Sequence, residues 1–371
     1  MSNNEQAPGA RFVAAGLSGQ HGLSRRGLLR GVVGLGALAA ASGPLLAACG
    51  SGSSGSAPAS GSRFGEVAFK LSWIKNVEYA GSFIADTKGY YKAEGISSVN
   101  LISGGASATP MDTDVATNKA LLGISSPDIT GAAVLKGAPL KIIATTYQEN
   151  PFAIMSMADK PIRTPQDMYG KKIGVQASNE SVWTTFLQAA GLDASKITKV
   201  PAQFDPQPLT QGSVDGWFSF ITNEPIELGE KGFPTVAFKL ADYGYPMVSN
   251  TYMARTDAIS GKRAVIKAFM RAEIRGWKDS INDPAQGAQL AVEKYGKDLG
   301  LNVAEQTLES KAQNLLIQSP DTQKNGLFTM TDELVDKNIA TLAIGGVKIS
   351  ASQLFDLSLI KEIYQEDKSL I

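Results

Sequence analysis

Short apolar runs alternate with longer segments of helical periodicity from Val67 onward, and this alternation limits the possible folds more than any other feature. Runs of four to eight residues rich in β-branched and aromatic side chains predict strands, and the amphipathic segments between them predict helices. The alternation predicts an α/β fold with a mostly parallel sheet. The predicted strands span Val67–Trp73, Val99–Ser103, Ala120–Ser125, Leu140–Tyr147, Phe152–Ala158, Lys172–Gln176, Gly216–Phe220, Thr235–Leu240 and Ser249–Arg255.

The helical segments are distributed unevenly along the chain. Residues 80–95 have apolar side chains at helical spacing and end at Gly95, as a glycine-capped helix does. From Lys262 onward the sequence is almost entirely amphipathic helix with few strands. A chain that leaves one lobe, builds a second and returns to finish the first with helices explains this asymmetry.

The length supports two lobes. Residues 49–371 number 323, more than the ~250–300 at which a single core stops growing. We expect residues 66–149 to form the first part of lobe 1, residues 150–248 to form lobe 2, and residues 249–371 to complete lobe 1. The crossings are expected near Gln148–Pro151 and Pro246–Asn250, where extended runs that carry a proline suit a two-strand hinge.

The first 48 residues have a charged start, a short apolar middle and small residues before Cys49, which is typical of an export signal. The run SRRGLLRG contains Arg25 and Arg26 and resembles a bacterial twin-arginine signal, and LAAC, ending at Cys49, resembles a lipoprotein lipobox. The Gly/Ser-rich residues 49–65 predict a flexible tether. We therefore expect an exported protein, anchored by lipid on Cys49 to the outer face of the cell membrane or in the periplasm. The alternative is an uncleaved N-terminal helix with a buried cysteine.

Composition excludes several classes of function. The only histidine is His21 and the only cysteine is Cys49, so residues 50–371 contain neither a Ser-His-Asp or Cys-His catalytic set nor a His/Cys zinc site. Removing the four arginines and one glutamate of residues 1–48 from totals of 35 basic and 35 acidic residues leaves 31 and 34, a net charge of about −3. This balance argues against nucleic-acid binding. We expect a monomer that is not an enzyme and uses no cofactor or metal, although carboxylate-based hydrolysis remains open.

Three motifs in sequence order resemble one family. They are LSWIKNVEYAGSFIADTKGYYKAEG at residues 71–95, MYGKKIGVQASNE at residues 168–180 and GSVDGWFSFITNEPIELGEKGF at residues 212–233. They resemble the NMT1-like solute-binding proteins of ABC importers, the group that takes up thiamine pyrimidines, riboflavin, nitrate and sulfonates. The resemblance implies a type II periplasmic-binding-protein fold, in which two α/β lobes joined by a two-strand hinge close on a ligand, and an ABC permease as partner. Open α/β sheets bind ligands beyond the carboxyl ends of their strands, so the physical argument agrees.

Polar and aromatic side chains at predicted strand ends are the candidates for lining the cleft between the lobes. They are Trp73, Asn76, Glu78 and Tyr79 after the first strand, Ser125, Ser126 and Asp128 after the third, Tyr147 and Gln148 at the first crossing, Ser178, Asn179 and Glu180 at a strand-to-helix junction, and Trp217, Phe220, Asn223 and Glu224 at the end of lobe 2's strand 216–220.

Each candidate also has a purely structural interpretation. Trp73 and Trp217 suit a hydrophobic core, and Asn76 suits a turn. Glu224 suits the first turn of a helix, where an acid complements the helix dipole. The polar groups at 125–128 and 178–180 suit turns and helix caps.

An aromatic surface with an amide and a carboxylate suits a flat heterocycle, whose face stacks while its edge nitrogens donate to the carboxylate. We therefore expect a small aromatic heterocycle as ligand, a thiamine pyrimidine precursor or a riboflavin-like compound. The alternative within the class is nitrate, an alkanesulfonate or taurine, anions that need dense donors, often arginine. None of the six arginines after residue 48 lies in the three motifs. A secreted carboxylate-dependent enzyme on the same scaffold is a third possibility.

Overall fold

The structure is a computed structural model that describes residues 63–105 and 108–371. The described residues all belong to one compact unit. The predicted export signal over residues 1–48, the lipid anchor at Cys49 and most of the predicted tether lie outside the described residues. Within the described residues, every helix is too short or too polar to cross a bilayer.

The strands of the described residues form two five-stranded sheets, in the orders β2-β1-β3-β10-β4 and β7-β6-β8-β5-β9. They span β1 Val67–Lys70, β2 Val99–Ile102, β3 Leu122–Ser125, β4 Leu140–Tyr147, β5 Phe152–Met157, β6 Lys172–Gln176, β7 Thr198–Ala202, β8 Gly216–Phe220, β9 Thr235–Lys239 and β10 Ser249–Arg255. All nine predicted strands are present. The prediction missed β7, a largely exposed edge strand that contains Pro201 and lacks an apolar run.

The sheets are mixed, whereas the sequence predicted mostly parallel pairing. Of the eight strand pairs in the described residues, four are parallel and four antiparallel. β4 carries the chain out of the first sheet and β10 brings it back beside β4, so these neighbours run in opposite directions. β5 and β9 do the same in the second sheet. The antiparallel pairs therefore follow from the double crossing between the sheets.

The helices cover both sheets and dominate the final third of the chain. The α-helices are α1 Ala80–Thr87, α2 Tyr90–Ala93, α3 Met111–Ala116, α4 Pro127–Leu135, α5 Glu180–Ala189, α6 Gln207–Thr210, α7 Glu224–Glu230, α8 Thr256–Gly261, α9 Arg263–Asn282, α10 Pro284–Leu290, α11 Val303–Ile317, α12 Pro320–Asn325, α13 Asp332–Ile344, α14 Ala351–Leu354 and α15 Ser358–Glu366. Short 3-10 helices span Val77–Tyr79, Pro165–Met168, Ala177–Asn179, Ala194–Lys196, Leu240–Tyr243 and Lys368–Leu370, and a π-helical turn spans Ala291–Tyr295.

The segment predicted as one helix over residues 80–95 is two. Gly89 has φ of +75° and separates α1 from α2, and Gly95 follows α2 with φ of +86°. A left-handed backbone is accessible to glycine without a steric cost, so these positions turn the chain back toward the sheet.

The two largest apolar clusters of the described residues each join one sheet to helices. The first joins the sheet containing β1 to α1 and α9 through residues such as Phe69, Phe83 and Phe269. The second joins the β5-containing sheet and α5 to the C-terminal segment, with Phe186 and Leu342 in the same cluster. The C-terminal helices do not all pack in one place: α9 and α15 pack at the first sheet, while α13 packs against both α4 of lobe 1 and α5 of lobe 2.

Candidate functional site

A cavity lies between the lobes at the carboxyl ends of β1, β3, β6 and β8. The empty space among its lining residues is about 510 Å³, including the part that opens to solvent. Its walls are Ser72, Trp73, Glu78, Met111, Ser125, Ser126, Ile129, Phe152, Gln176, Asn179, Phe220, Asn223, Glu224, Ser249 and Asn250. This position is the one that open α/β sheets favour for ligands.

The first-lobe carboxyl of this cavity is Glu78. Asn76 caps the turn Val77–Tyr79, because its side-chain oxygen accepts a hydrogen bond from the Glu78 backbone N–H at 3.2 Å. Glu78 Oε1 accepts from Tyr79 Oη at 2.9 Å, from Asn250 Nδ2 at 2.9 Å and from Ser72 Oγ at 3.4 Å. Burial raises the pKa of Glu78 to about 7, against the lowering effect of these three donors.

Tyr79 positions the loop that carries Trp73. Its hydroxyl accepts a hydrogen bond from the Trp73 backbone N–H at 2.7 Å and lies 2.7 Å from Ser72 Oγ. Two side chains of α11 hold the adjacent Val77: Gln306 Oε1 accepts from its N–H at 2.7 Å, and Gln313 Nε2 donates to its carbonyl at 3.0 Å. The loop after β1 is thus fixed from both sides, and Tyr79 supports the site without lining it.

The second lobe contributes Glu224, the first residue of α7. Its Oε2 accepts from the Phe220 N–H at 2.9 Å, and Pro225, the next residue, has a fixed φ that suits the first turn of a helix. Glu224 is 5% exposed. Burial, together with the negative charges of Glu227 and Glu78, raises the pKa of Glu224 to about 8. The cavity therefore has one buried carboxyl on each lobe.

Asn223 joins the lobes. With its amide nitrogen facing α11, it donates to Glu309 Oε1 at 2.8 Å and to Oε2 at 3.1 Å, while its oxygen accepts from Asn76 Nδ2 at 3.2 Å. Burial, with the neighbouring charges of Glu305, Glu224 and Glu227, raises the pKa of Glu309 well above its ordinary value. Because Asn223 follows β8 and the other two residues belong to lobe 1, these bonds exist only when the lobes are together.

Aromatic side chains form the apolar part of the wall. Phe220 packs edge-to-face on Phe152 with ring centroids 4.7 Å apart, and Trp73 is partly buried against the first core. Ring faces and carboxyl groups in one cavity suit a flat molecule with polar edges.

Several predicted site residues line this cavity and others do not. The lining ones are Trp73, Glu78, Ser125, Ser126, Asn179, Phe220, Asn223 and Glu224. Asn76 and Tyr147 lie against a smaller adjoining space beside Glu309, where Tyr147 Oη donates to Gln313 Oε1 at 2.8 Å. Ser178 lines another adjoining hollow.

Four predicted residues lie elsewhere for clear physical reasons. Trp217 is 1% exposed and packs in an apolar cluster with Leu209 and Leu228, because it lies near the start of β8, away from the carboxyl end that borders the cavity. Glu180 is exposed and pairs with Lys199. Gln148 Nε2 donates to the Thr329 carbonyl at 3.1 Å. Asp128 is fully buried under the cavity and accepts from Ser126 Oγ at 2.5 Å.

The sequence analysis missed several lining residues and the bridging Glu309. Ser249 and Asn250 belong to the second crossing, which the sequence marked only as a hinge; Asn250 has φ of +52°, a conformation that asparagine tolerates better than most residues. Gln176 ends β6 in the second motif, and its Nε2 donates to the Phe218 carbonyl at 3.0 Å. Glu309 lies on α11, where helical periodicity carries no signal for a polar contact across the lobes.

The charge of the cavity is one-sided. Its walls carry the carboxyls of Glu78 and Glu224 and no lysine or arginine. Within the described residues, the ion pairs do not include Glu78, Glu224 or Glu309. Such a surface accepts hydrogen bonds and disfavours anions.

Residues 76–287 match the family described as NMT1/THI5 like. A riboflavin-binding protein RibY from Chloroflexus aurantiacus is 25% identical over 239 residues, 62% of this chain and 66% of that protein. The 4-amino-5-hydroxymethyl-2-methylpyrimidine phosphate synthase of Legionella pneumophila is 22% identical over 282 residues, 73% of this chain and 88% of that protein. The alignment thus spans just under two thirds of the RibY protein.

Solved structures share the architecture. The aliphatic sulphonate binding protein SsuA from Escherichia coli superposes with a TM-score of 0.60 at 16% identity, covering 78% of this chain and 92% of that one. The nitrate-binding protein NrtA from Synechocystis PCC 6803 superposes with a TM-score of 0.61 at 13% identity, covering 84% and 92%. At these identities the likeness shows the fold, and it confirms the predicted periplasmic-binding-protein class.

Proposed function

Because the chain belongs to the NMT1/THI5-like family, we propose that it is the solute-binding component of an ABC importer and captures a small aromatic heterocycle between its lobes. The observation that carries this proposal is the pair of buried carboxyls, Glu78 and Glu224, that face one cavity from opposite lobes beside aromatic rings. With one carboxyl acceptor on each lobe, the cavity favours a ligand that has hydrogen-bond donors on two edges.

The energies of such contacts are sufficient. A stacked ring contributes ~1–3 kcal/mol, by analogy with base stacking. A hydrogen bond to a charged group contributes ~1.5–3 kcal/mol. One stack on Trp73 or Phe220 and two bonds to ionised carboxylates contribute ~4–9 kcal/mol together, a range that includes the ~8 kcal/mol of micromolar binding. A thiamine pyrimidine precursor offers an exocyclic amino group and a hydroxyl as donors, and a riboflavin-like compound offers a ring N–H and hydroxyls. The riboflavin-binding and pyrimidine phosphate synthase relatives support this chemical class.

Nitrate, alkanesulfonate and taurine are the alternative ligands, and the cavity argues against them. The walls supply hydroxyl and amide donors, such as Ser125 and Asn179, but they carry two carboxyls and no lysine or arginine, so an anion meets no positive charge there. A protonated carboxyl offers a single donor and no positive charge. The sulphonate- and nitrate-binding structures therefore support the fold, while the residues of this cavity support a donor-bearing heterocycle.

A second candidate function is an enzyme that uses Glu78 and Glu224 as acid and base. Two relatives named as pyrimidine phosphate synthases and two carboxyls with raised pKa values favour it. Residues 50–371 contain no histidine or cysteine, which leaves carboxyl chemistry alone. Mass spectrometry of the molecule released by denaturation separates the two functions: a receptor returns its solute unchanged, and turnover of the solute identifies an enzyme.

Removing a cavity carboxyl or the cavity indole is expected to weaken heterocycle binding at least tenfold, about 1.4 kcal/mol. Glu78→Gln and Glu224→Gln each lose the charge of an acceptor, and Trp73→Ala loses a stacking surface; little change in folding stability is expected. Calorimetric titration with riboflavin, 4-amino-5-hydroxymethyl-2-methylpyrimidine and taurine measures the effect. Glu180→Gln, which changes an exposed carboxyl of lobe 2, is the matched control and should bind as the wild type does.

Two outcomes of these titrations contradict the proposal. Binding of taurine but of neither heterocycle assigns the cavity to sulfonates. Unaltered heterocycle affinity in all three variants shows that Trp73, Glu78 and Glu224 are structural residues.

We place the protein outside the cytoplasm, with lipid on Cys49 holding the folded lobes near an ABC permease. The export-signal pattern and lipobox-like residues before Cys49 support this proposal. Cys49→Ala is expected to move the protein from the membrane to the soluble fraction while leaving solute affinity unchanged, because the cavity lies in residues 72–250. Fractionation of cells that express each form measures this, and a variant that stays in the membrane fraction refutes the anchor.

A further inference from the structure

The lobes touch at two places besides the crossing strands, and the two contacts differ in chemistry. On one side α13 packs against α5, and Val335 and Leu342 share an apolar cluster with Trp183 and Phe186. On the other side α7 of lobe 2 packs against α11 of lobe 1. On the α5–α13 side, α4 of lobe 1 also packs against α5 and carries the buried Asp128, whose pKa burial raises.

The α7–α11 contact brings acidic groups together from both lobes. α7 contributes Glu224 and Glu227, and α11 contributes Glu305 and Glu309, whose charges act on one another. Glu78 and Tyr147 face Glu309 from the loop after β1 and from β4. Lys231, at the end of α7, already pairs with Glu227. Closing the lobes therefore concentrates negative charge around Glu309.

Glu309 lies at the centre of this contact. It is 3% exposed, and its carboxyl accepts from Asn223 of the opposite lobe, at 2.8 and 3.1 Å to its two oxygens. It has no lysine or arginine partner among the ion pairs of the described residues. The N–H groups of Asn223 favour the ionised form of Glu309, whereas burial and the like charges around it favour the protonated form, which carries no desolvation cost.

We propose that the α7–α11 contact is a proton-linked latch, in which the lobes close on that side when Glu309 holds a proton and part when it loses it. The inference rests on the proposed function only in taking lobe closure as the step that retains a solute. Asn223 supplies the contact across the lobes, and the surrounding carboxyls make that contact depend on pH. The crossing strands act as the hinge about which the latch opens.

The direction of the pH effect follows from the pKa changes. With the lobes apart, water surrounds Glu309 and its pKa is ordinary; with the lobes together, burial and its neighbours raise it. Closure is then favoured at a pH below the ordinary pKa of Glu309, and it is lost as the pH rises through the raised pKa of the closed form. The raised pKa values of Glu78, about 7, and of Glu224, about 8, act in the same direction. For each proton taken up on closing, the equilibrium constant for lobe closure falls by up to tenfold for every unit that the pH rises in this range.

Pulsed electron paramagnetic resonance on the full chain tests the latch without a solute. One spin label replaces exposed Lys311 on lobe 1 and another replaces exposed Lys171 on lobe 2, with Cys49→Ser to leave only the introduced cysteines. The wild-type background is expected to show a single short distance at pH 5.5 and a growing longer population at pH 8.5. Glu309→Gln, which keeps an acceptor for Asn223 but cannot ionise, is expected to keep the short distance at both pH values.

Two further variants keep the test decisive. Glu66→Gln alters an exposed carboxyl at the opposite end of β1 and should open like the wild type. Asn223→Asp adds a carboxyl to the contact and should open at a lower pH. Thermal melts at both pH values confirm that each variant is folded. The proposal is overturned if the wild type stays closed at pH 8.5, or if Glu309→Gln opens as the wild type does.

This test separates the latch from the proposed function. A pH-dependent distance in a protein that binds neither riboflavin nor the pyrimidine supports the latch and removes the ligand assignment. Heterocycle affinity with the same pH dependence in the wild type and Glu309→Gln supports the ligand assignment and removes the latch.

Discussion

Replacing Glu273 with leucine is expected to lower the free energy of unfolding by about 3–6 kcal/mol. Glu273 lies on α9 with no exposed surface, and its carboxyl accepts hydrogen bonds from Tyr91 Oη, from Tyr252 Oη at 2.8 Å and from Ser82 Oγ at 3.0 Å. Leucine leaves three buried hydroxyls without their acceptor, and each costs ~1–3 kcal/mol. The relief from burying a carboxyl offsets part of that loss.

Glu273→Gln is the matched control. It retains one acceptor oxygen and should lose much less stability than the leucine variant. Burial raises the pKa of Glu273, so its contribution to stability is present at low pH and is lost as the pH rises through the folded-state value. Urea unfolding at pH 5 and pH 9 should show this decline in the wild type and a smaller one in Glu273→Gln. Equal stability of the leucine and glutamine variants contradicts the hydrogen-bond account.

Gly276→Ala, also on α9, is expected to lower the free energy of unfolding by about 2 kcal/mol. A Cβ at Gly276 overlaps the carbonyl oxygen of Gly81 and comes within 2.9 Å of the Ala85 Cβ, where α9 crosses α1. Overpacking costs ~1–3 kcal/mol, and more where backbone must move, whereas the gain in helix propensity is only ~1 kcal/mol. Since α1 follows the turn that holds Glu78, separating the two helices should also weaken solute binding.

An increase in the free energy of unfolding is expected when another helical glycine is replaced by alanine. Gly229 on α7 has no atom within 4 Å of the position a Cβ would take, so Gly229→Ala should gain about 0.5 kcal/mol from helix propensity. Thermal and urea unfolding of both variants measure the difference. Similar changes in the two variants show that the crossing of α1 and α9 does not depend on Gly276.

The strand ends explain why part of the site was predictable. In an α/β fold the loops after parallel strands meet at one edge, so polar residues after β1 and β8, such as Glu78 and Glu224, point to one cavity before any contact is known. The same reasoning fails for Trp217. Residues along a strand alternate between the two faces of the sheet, and the sequence does not say which of them pack in the core. The local sequence pattern therefore predicts which loops border the cavity better than it predicts where the side chains of a strand point.

Other features depend on contacts between distant segments. Glu309 and Asn223 are far apart in sequence, and neither helical periodicity on α11 nor the motif around Asn223 indicates their pairing. β7 escaped prediction because an exposed edge strand with a proline has no apolar run to mark it. The mixed strand directions arise from the route of the chain between the sheets, which composition does not encode.

The route of the chain also sets an order of assembly. All five strands of the second sheet come from one stretch, residues 152–239, whereas the first sheet needs β10 between β3 and β4. As the polypeptide lengthens during translation, the second sheet therefore has all five of its strands while the first sheet still lacks the strand between β3 and β4. Nascent chains that end before residue 249 should therefore contain a complete second sheet and a first sheet that lacks β10.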